Sequence, residues 1–128
     1  MDSNDLYSGV TATEVLANLS RTTTATSSAV DVSEYEGKLC FLLSAGAQTA
    51  GTNPTLTVKV THCDTSDGQY ADVTGAAFTQ VSTVASTQIL GIDKKALKKY
   101  VEVVATHGGT NTPTFPYGVA MLGRKKYV

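Results

Sequence analysis

Three neighbouring residues carry the side chains best suited to chemistry in this chain. His62, Cys63 and Asp64 supply an imidazole, a thiol and a carboxylate, the groups that a cysteine nucleophile requires. Residues 56–61 before them alternate apolar and polar side chains, which predicts a strand that runs into His62. Because adjacent residues of a strand point to opposite faces, the thiol and the imidazole neither face each other nor share a metal ion. We therefore predict no catalytic residue, no metal site and no cofactor.

Two other segments have the composition of ligand-binding loops. Asp64–Gly68 contains two aspartates and ends in glycine, but it has neither the alternating Asp or Asn residues nor the terminal Glu of a calcium loop. We interpret this segment as an acidic β-turn. Gly108 and Gly109 lack the strand–loop–helix context in which glycines bind phosphate, so they are predicted to form a flexible loop.

A lysine-rich turn is the most distinctive segment of the sequence. Asp93 is predicted to cap this turn by accepting a backbone N–H, while Ile92 and Leu97 pack over it as a hydrophobic staple. We assign the turn and the C-terminal basic residues to contact with a partner. The assigned residues are Lys94, Lys95, Lys98, Lys99, Arg124, Lys125 and Lys126.

The nature of that partner follows from the overall charge. Nucleic acid is one alternative, because Tyr100 and Tyr127 lie next to the basic residues and could stack on nucleobases. This alternative predicts binding that weakens steeply with salt and depends on Lys98 and Lys99. A pI near 6.0 and an aromatic content of 7% favour an acidic protein surface instead. We therefore expect a protein partner and not nucleic acid.

Charge is distributed unevenly along the chain. Residues 1–36 contain six acidic residues and one basic residue, a balance of −5, whereas residues 94–128 contain seven basic residues and one acidic residue, a balance of +6. Three arrangements fit this pattern. The fold has one polarised face, or the head of one chain meets the tail of another, or the charges are simply solvated.

Length and composition indicate a β-rich domain. The 128 residues are enough for one domain with its own core, and they include 20 Thr and 10 Ser. Threonine is stiff at Cβ and favours strands. An 18-residue apolar run is absent, and the acidic start Met1–Asp5 differs from a signal peptide, so we expect no membrane span and synthesis in a cytosol. Cys40 and Cys63 are then expected to be small, buried and reduced.

The order of apolar runs and turn signals predicts the fold class. About eight short strands follow one another from residue 29 onward, and helices long enough for parallel crossovers are lacking. We predict an all-β antiparallel β-sandwich or jelly roll over residues 29–128. Residues 38–45 are predicted to be a central strand buried on both faces. Residues 100–106 and 117–122 are predicted to be separate strands joined by a loop at 107–116.

Residues 1–28 differ in pattern from the rest of the chain. We predict an extended N-terminal arm and polar tether, with a short helical turn at Thr13–Leu19. Apolar side chains would be wasted in a free tail, so we expect the arm to dock on a neighbouring subunit. A chain without residues 1–28 is then expected to fold but to assemble poorly. The docking side chains are Leu6, Tyr7, Val15, Leu16 and Leu19.

Several of these segments resemble one family. The chain resembles small head-decoration (cement) proteins of tailed bacteriophages in four segments: Tyr35–Lys38 before a hydrophobic strand, the Asp-Gly turn leading to Tyr70–Val73, Ile92-Asp93 followed by Leu97–Val101, and the ending Ala120–Tyr127. The resemblance covers roughly residues 29–127. It implies a non-enzymatic β-rich virion protein, often trimeric, that binds the major capsid protein outside the shell and ties capsomers together. It carries over no catalytic or ligand motif.

Two further interpretations remain open from the sequence. One is a tail or neck component of a phage, which differs from the first interpretation only in its place in the virion. The other is a carbohydrate-binding β-sandwich in which Tyr35, Tyr70 and Tyr117 are exposed stacking platforms.

Overall fold

Antiparallel strands make up nearly all of the structure. A computed structural model describes residues 10–125. Within that range there are eight strands and one short 3₁₀ turn, which confirms the predicted all-β class. The strands are β1 (Thr11–Arg21), β2 (Ala25–Thr26), β3 (Val30–Asp31), β4 (Tyr35–Ala45), β5 (Ala50–Cys63), β6 (Ala71–Ala77), β7 (Ser86–Asp93) and β8 (Tyr100–Lys125), and the 3₁₀ turn is Lys94–Ala96.

The strands form the two layers of a sandwich, and β8 contributes to both. Its C-terminal half lies between β1 and β4, and β7 completes that layer beside β4, which gives the order β1-β8-β4-β7. Its N-terminal half lies between β5 on one side and the short strands β2 and β3 on the other, and β6 lies beyond β5. The predicted antiparallel sandwich or jelly roll is therefore confirmed.

The passage of β8 from one layer to the other corrects a prediction. Residues 107–116 are not a loop, because they continue to pair with β5, with Thr110 opposite Thr52 and Thr114 opposite Ala50. The ladder bends through bulges, where an extra residue lets a strand turn a corner. Gly109 has φ +111°, and a Cβ there would lie 2.7 Å from the Asn53 carbonyl oxygen, so the corner requires glycine.

Side chains from both layers meet in one hydrophobic core. Residues of β4 alternate across their layer, so that Phe41 and Leu43 are fully buried while Cys40 and Leu42 are only half-buried. The prediction that this strand is buried on both faces was wrong. In a two-layer sandwich only one face of each layer meets the core, and the other face of β4 points outward. Full burial of each such apolar side chain contributes about 1.5–3 kcal/mol. The largest fully buried side chains include Tyr117, Phe41, Phe115, Leu39, Leu43, Leu56 and Met121.

The described part of the predicted arm lies within the sandwich. Residues 11–21 pair with β8 as the strand β1, so the helical turn at Thr13–Leu19 was wrong. An irregularity in the ladder at Val15 shifts the register, and Leu16 turns inward and is buried in the core. Leu16 is therefore buried in the core of its own chain, and the partly buried Val15 packs against that core. Leu19 is 49% exposed, and Leu6 and Tyr7 lie outside the described residues.

Candidate interaction surfaces

The two outer faces of the sandwich differ in polarity. The outer face of the β5–β6 layer presents polar side chains, among them Thr57 and Lys59 of β5. The Lys59 ammonium lies 2.8 Å from a carboxylate oxygen of Asp72 on β6. The Thr61 hydroxyl donates to the Glu102 carbonyl on β8 at 2.9 Å. This face is a water-facing sheet surface of the ordinary kind.

The outer face of the β4–β7 layer is apolar at its centre. Leu42 lies opposite Ile89 on one side and Ala120 on the other, and Cys40 lies opposite Leu122. Because these residues lie opposite one another on neighbouring strands and all point outward, their side chains form one continuous patch. Ile89 is 73% exposed and the other members are half-buried. We call this patch the apolar face, and its members are Cys40, Leu42, Ile89, Ala120 and Leu122.

Two grooves run over this face. The larger has a volume of about 580 Å³ and lies between Val10, Ile89 and Leu122, with Cys40 and Leu42 also in its lining. The smaller has a volume of about 310 Å³ and lies between β1 and β4, over Leu42 and Ala120. Sequence reasoning missed this face because it placed both faces of β4 in the core. The signal that could have revealed it is the apolar residues at the outward-pointing positions, every second residue, of β4, β7 and β8.

Four charged side chains line the two grooves on the apolar face. Glu14 lies on β1, Glu36 and Lys38 lie on β4, and Arg124 lies near the end of β8. Ion pairs within residues 10–125 join Lys59 to Asp72, Lys98 to Asp64 and Lys125 to Glu34, and they leave these four charges unpaired. We call this set the charged rim. It contains two acidic and two basic groups.

A second candidate surface lies at the end of the sandwich where β7 ends and β8 begins. Asp93 caps the 3₁₀ turn, since its carboxylate accepts the Lys95 N–H at 3.0 Å, and this confirms the predicted cap. Lys38 lies opposite Asp93, and Lys125 lies opposite Tyr35. The described lysines of the turn and of the β8 terminus therefore share one end of the fold. Lys126 lies outside the described residues.

Acidic residues are interspersed among those lysines. Lys98 lies 3.8 Å from Asp64, and Lys125 lies 3.7 Å from Glu34. The pKa of Asp31 is lowered, chiefly because its carboxylate accepts the Ser33 N–H, with a further contribution from nearby lysines. The acidic N-terminal region and the basic C-terminal region therefore meet within one chain. Antiparallel pairing of β3 and β4 with β8 brings them together, so this end is a mixed-charge surface.

The residues first considered for chemistry have separate hydrogen-bond neighbours. The His62 ring Nδ1 accepts the Lys98 backbone N–H at 3.3 Å, and the Cys63 sulfur lies 3.8 Å from the Thr65 hydroxyl. Over residues 10–125 we find no group of three or more His, Cys, Asp or Glu side chains arranged to hold a metal ion. The same part of the chain contains no helix long and apolar enough to cross a membrane.

A buried aromatic cluster fills the corner where β8 changes layers. The Tyr117 hydroxyl lies 3.0 Å from His107 Nε2, and the His107 Nδ1 lies 3.4 Å from the Pro113 carbonyl, which can only accept. The ring tautomer with its proton on Nδ1 donates to that carbonyl and leaves Nε2 to accept the Tyr117 hydroxyl proton. The Arg21 guanidinium lies 4.8 Å from the centre of the Tyr117 ring and donates to the Tyr117 carbonyl at 2.8 Å. Burial raises the pKa of Tyr117, and Arg21 opposes that rise.

The tyrosines proposed as sugar platforms occupy different environments. Tyr117 is fully buried and Tyr35 is 4% exposed, so neither ring can stack on a glycan. Tyr70 is partly exposed, and its hydroxyl donates to the Ser66 carbonyl at 2.9 Å. The described structure therefore removes two of the three platforms on which the carbohydrate-binding interpretation depended.

Comparisons with known proteins identify similar folds. No protein-family model matches the chain, and no curated protein sequence matches it. A chain of the infectious bursal disease virus particle aligns over 91% of this chain and 31% of its own length, with 13% identity and a TM-score of 0.58. VP2 from a subviral particle of the same virus aligns over 88% of this chain and 32% of its own, with 10% identity and a TM-score of 0.54.

A bacterial protein has a similar fold. Dimeric latent PorU from Porphyromonas gingivalis aligns over 91% of this chain and 12% of its own length, with 8% identity and a TM-score of 0.50. This chain thus spans less than a third of the length of each of the three proteins described here. Similarity at such low identity establishes the β-sandwich fold, and one fold serves unrelated functions.

Proposed function

We propose that this chain is a virion structural protein that binds the outside of a phage capsid and stabilises the shell as a decoration protein. The apolar outer face is the observation that carries the proposal. A sandwich that acted alone in water would have two polar outer faces, whereas here one of them carries an apolar patch whose member on the edge strand, Ile89, is exposed. Such a face fits a subunit of an assembly.

The choice of a virion as that assembly rests on two further observations. The sequence motifs resemble head-decoration proteins, and the fold is similar to that of chains in infectious bursal disease virus particles. We infer that the partner is the major capsid protein and that the chain acts as an oligomer, with a trimer expected from the resemblance. Several moderate contacts per oligomer would then add up to firm attachment.

The mixed-charge end is the surface that we assign to the shell. Its exposed lysines can meet acidic groups of a capsid surface, while its own acids limit attraction to nucleic acid. We expect a Lys98→Gln/Lys99→Gln variant to bind shells roughly tenfold more weakly, because exposed ion pairs each contribute up to about 1 kcal/mol and the contact is repeated in an oligomer.

This expectation is tested by co-sedimentation with purified shells that lack the protein, from the virus whose genome encodes it. A Thr74→Glu/Thr106→Glu variant changes the net charge by the same −2 at exposed positions of the β5–β6 layer, so it is the matched control. The wild type and the control should sediment with the shells and raise their disruption temperature. Failure of the wild type to bind shells would refute the proposed function. Binding to isolated tails would instead identify the chain as a tail component.

A further inference from the structure

The apolar face has a composition that restricts what can cover it. Its members are mostly aliphatic: Ile89 is 73% exposed, and Leu42 and Leu122 on the two neighbouring strands are half-buried. β7 is the edge strand of its layer, so the patch continues to the border of the sheet. A partner that covers this patch must itself present an apolar surface of similar extent.

The charged rim distinguishes between possible partners. Glu14 and Glu36 are negatively charged, whereas Lys38 and Arg124 are positively charged. None of the four has an ion-pair partner among the described residues. A strongly acidic or strongly basic partner would repel half of this rim. A second copy presents the same two acids and two bases beside the same apolar patch. It can therefore match both the charge and the hydrophobicity of the face.

We propose that the apolar face is the contact through which copies of this chain associate. This assigns a surface to the oligomer on which the proposed function depends. The turn lysines of the mixed-charge end then remain available to another protein, because they line neither groove of the apolar face. Cys40 lies inside the contact, whereas Cys63 lies at the end of β5 outside it.

The first test is the mass of the full chain by light scattering behind a sizing column. The wild type should exceed the single-chain mass of 13.4 kDa, and Ile89→Glu should reduce it to 13.4 kDa. Val84→Glu is the matched control, because Val84 is 74% exposed, nearly as Ile89 is, but lines neither groove. It should keep the mass of the wild type. A cooperative urea unfolding transition in each variant would establish that both fold.

The second test uses the two native cysteines as reporters. Maleimide labelling of Cys40 in the wild type should slow as protein concentration rises, while labelling of Cys63 stays constant. In Ile89→Glu, Cys40 should be labelled at the same rate at every concentration. Peptide mass spectrometry identifies which thiol has reacted.

Three outcomes would overturn the proposal. One is a wild type with the mass of a single chain. Another is an Ile89→Glu variant that keeps the oligomeric mass. The third is protection of Cys40 that requires added shells, which would assign the face to the capsid. Because these measurements use the protein without shells, a failure to bind shells would refute the proposed function and leave the self-association result unaffected.

Discussion

At the scale of single residues, the corner of β8 shows how one aromatic side chain joins distant segments. The Tyr117 ring is fully buried, its hydroxyl reaches His107, and its face carries the Arg21 guanidinium of β1. A tyrosine is suited to this position because its apolar ring fills core space while its hydroxyl finds a partner. The cluster therefore holds β8, which passes from one layer to the other, against β1.

We expect Tyr117→Phe to lower the free energy of unfolding by about 1 kcal/mol at pH 7, because the hydrogen bond to His107 is lost. Burial raises the pKa of Tyr117 above its ordinary value of 10.0, so the unfolded tyrosine ionises first as the pH rises. The wild type should therefore lose stability above pH 10, and Tyr117→Phe should lose less.

Urea unfolding at pH 7 and at pH 10.5 measures both effects. Tyr100→Phe is the control, since Tyr100 lies in the same strand but is partly exposed. Equal stability of Tyr117→Phe and the wild type at pH 7 would show that the hydrogen bond contributes nothing.

At the scale of elements, β1 is part of the sandwich and not a detachable arm. We expect Leu16→Ala to lower the free energy of unfolding by about 3 kcal/mol, because it leaves a cavity in the core. Leu19→Ala in the same strand should cost less than about 1 kcal/mol, since Leu19 is 49% exposed. Urea unfolding of both variants measures the difference.

Two equal and small losses would mean that β1 does not pack on the core. Removal of residues 1–28 would delete all of β1 together with Arg21. We therefore now expect that truncation to destabilise the domain, in contrast to the expectation from sequence.

At the scale of the whole molecule, association and attachment should be coupled. A single copy engages one site, whereas an oligomer engages several, so we expect Ile89→Glu to bind shells at least about a hundredfold more weakly. Fusion of this variant to a trimeric coiled coil should restore the affinity without restoring the apolar contact. Titration of shells with the labelled proteins measures both. A fused variant that still binds weakly would show that Ile89 contacts the shell directly.

The sequence predicted the parts of this fold that depend on local pattern. Alternation in residues 56–61 identified β5, and Asp93 before four lysines identified the capped turn, because each signal lies within a few residues. The loop at 107–116 and the helical turn at 13–19 were wrong for a common reason. Both segments pair with strands far away in the chain, and such pairing overrides local turn and helix preferences.

What the sequence determined by itself was the β class, the antiparallel arrangement, the absence of helical crossovers and the residues that cap the lysine turn. The tertiary structure decided which side of each strand meets the core. It placed Leu42 outward and Leu16 inward, and it brought Glu34 next to Lys125. The physical reason is that the backbone of a strand is the same on both of its faces. Only the register with its neighbours and the position of the second layer determine which face is buried and which remains for a partner.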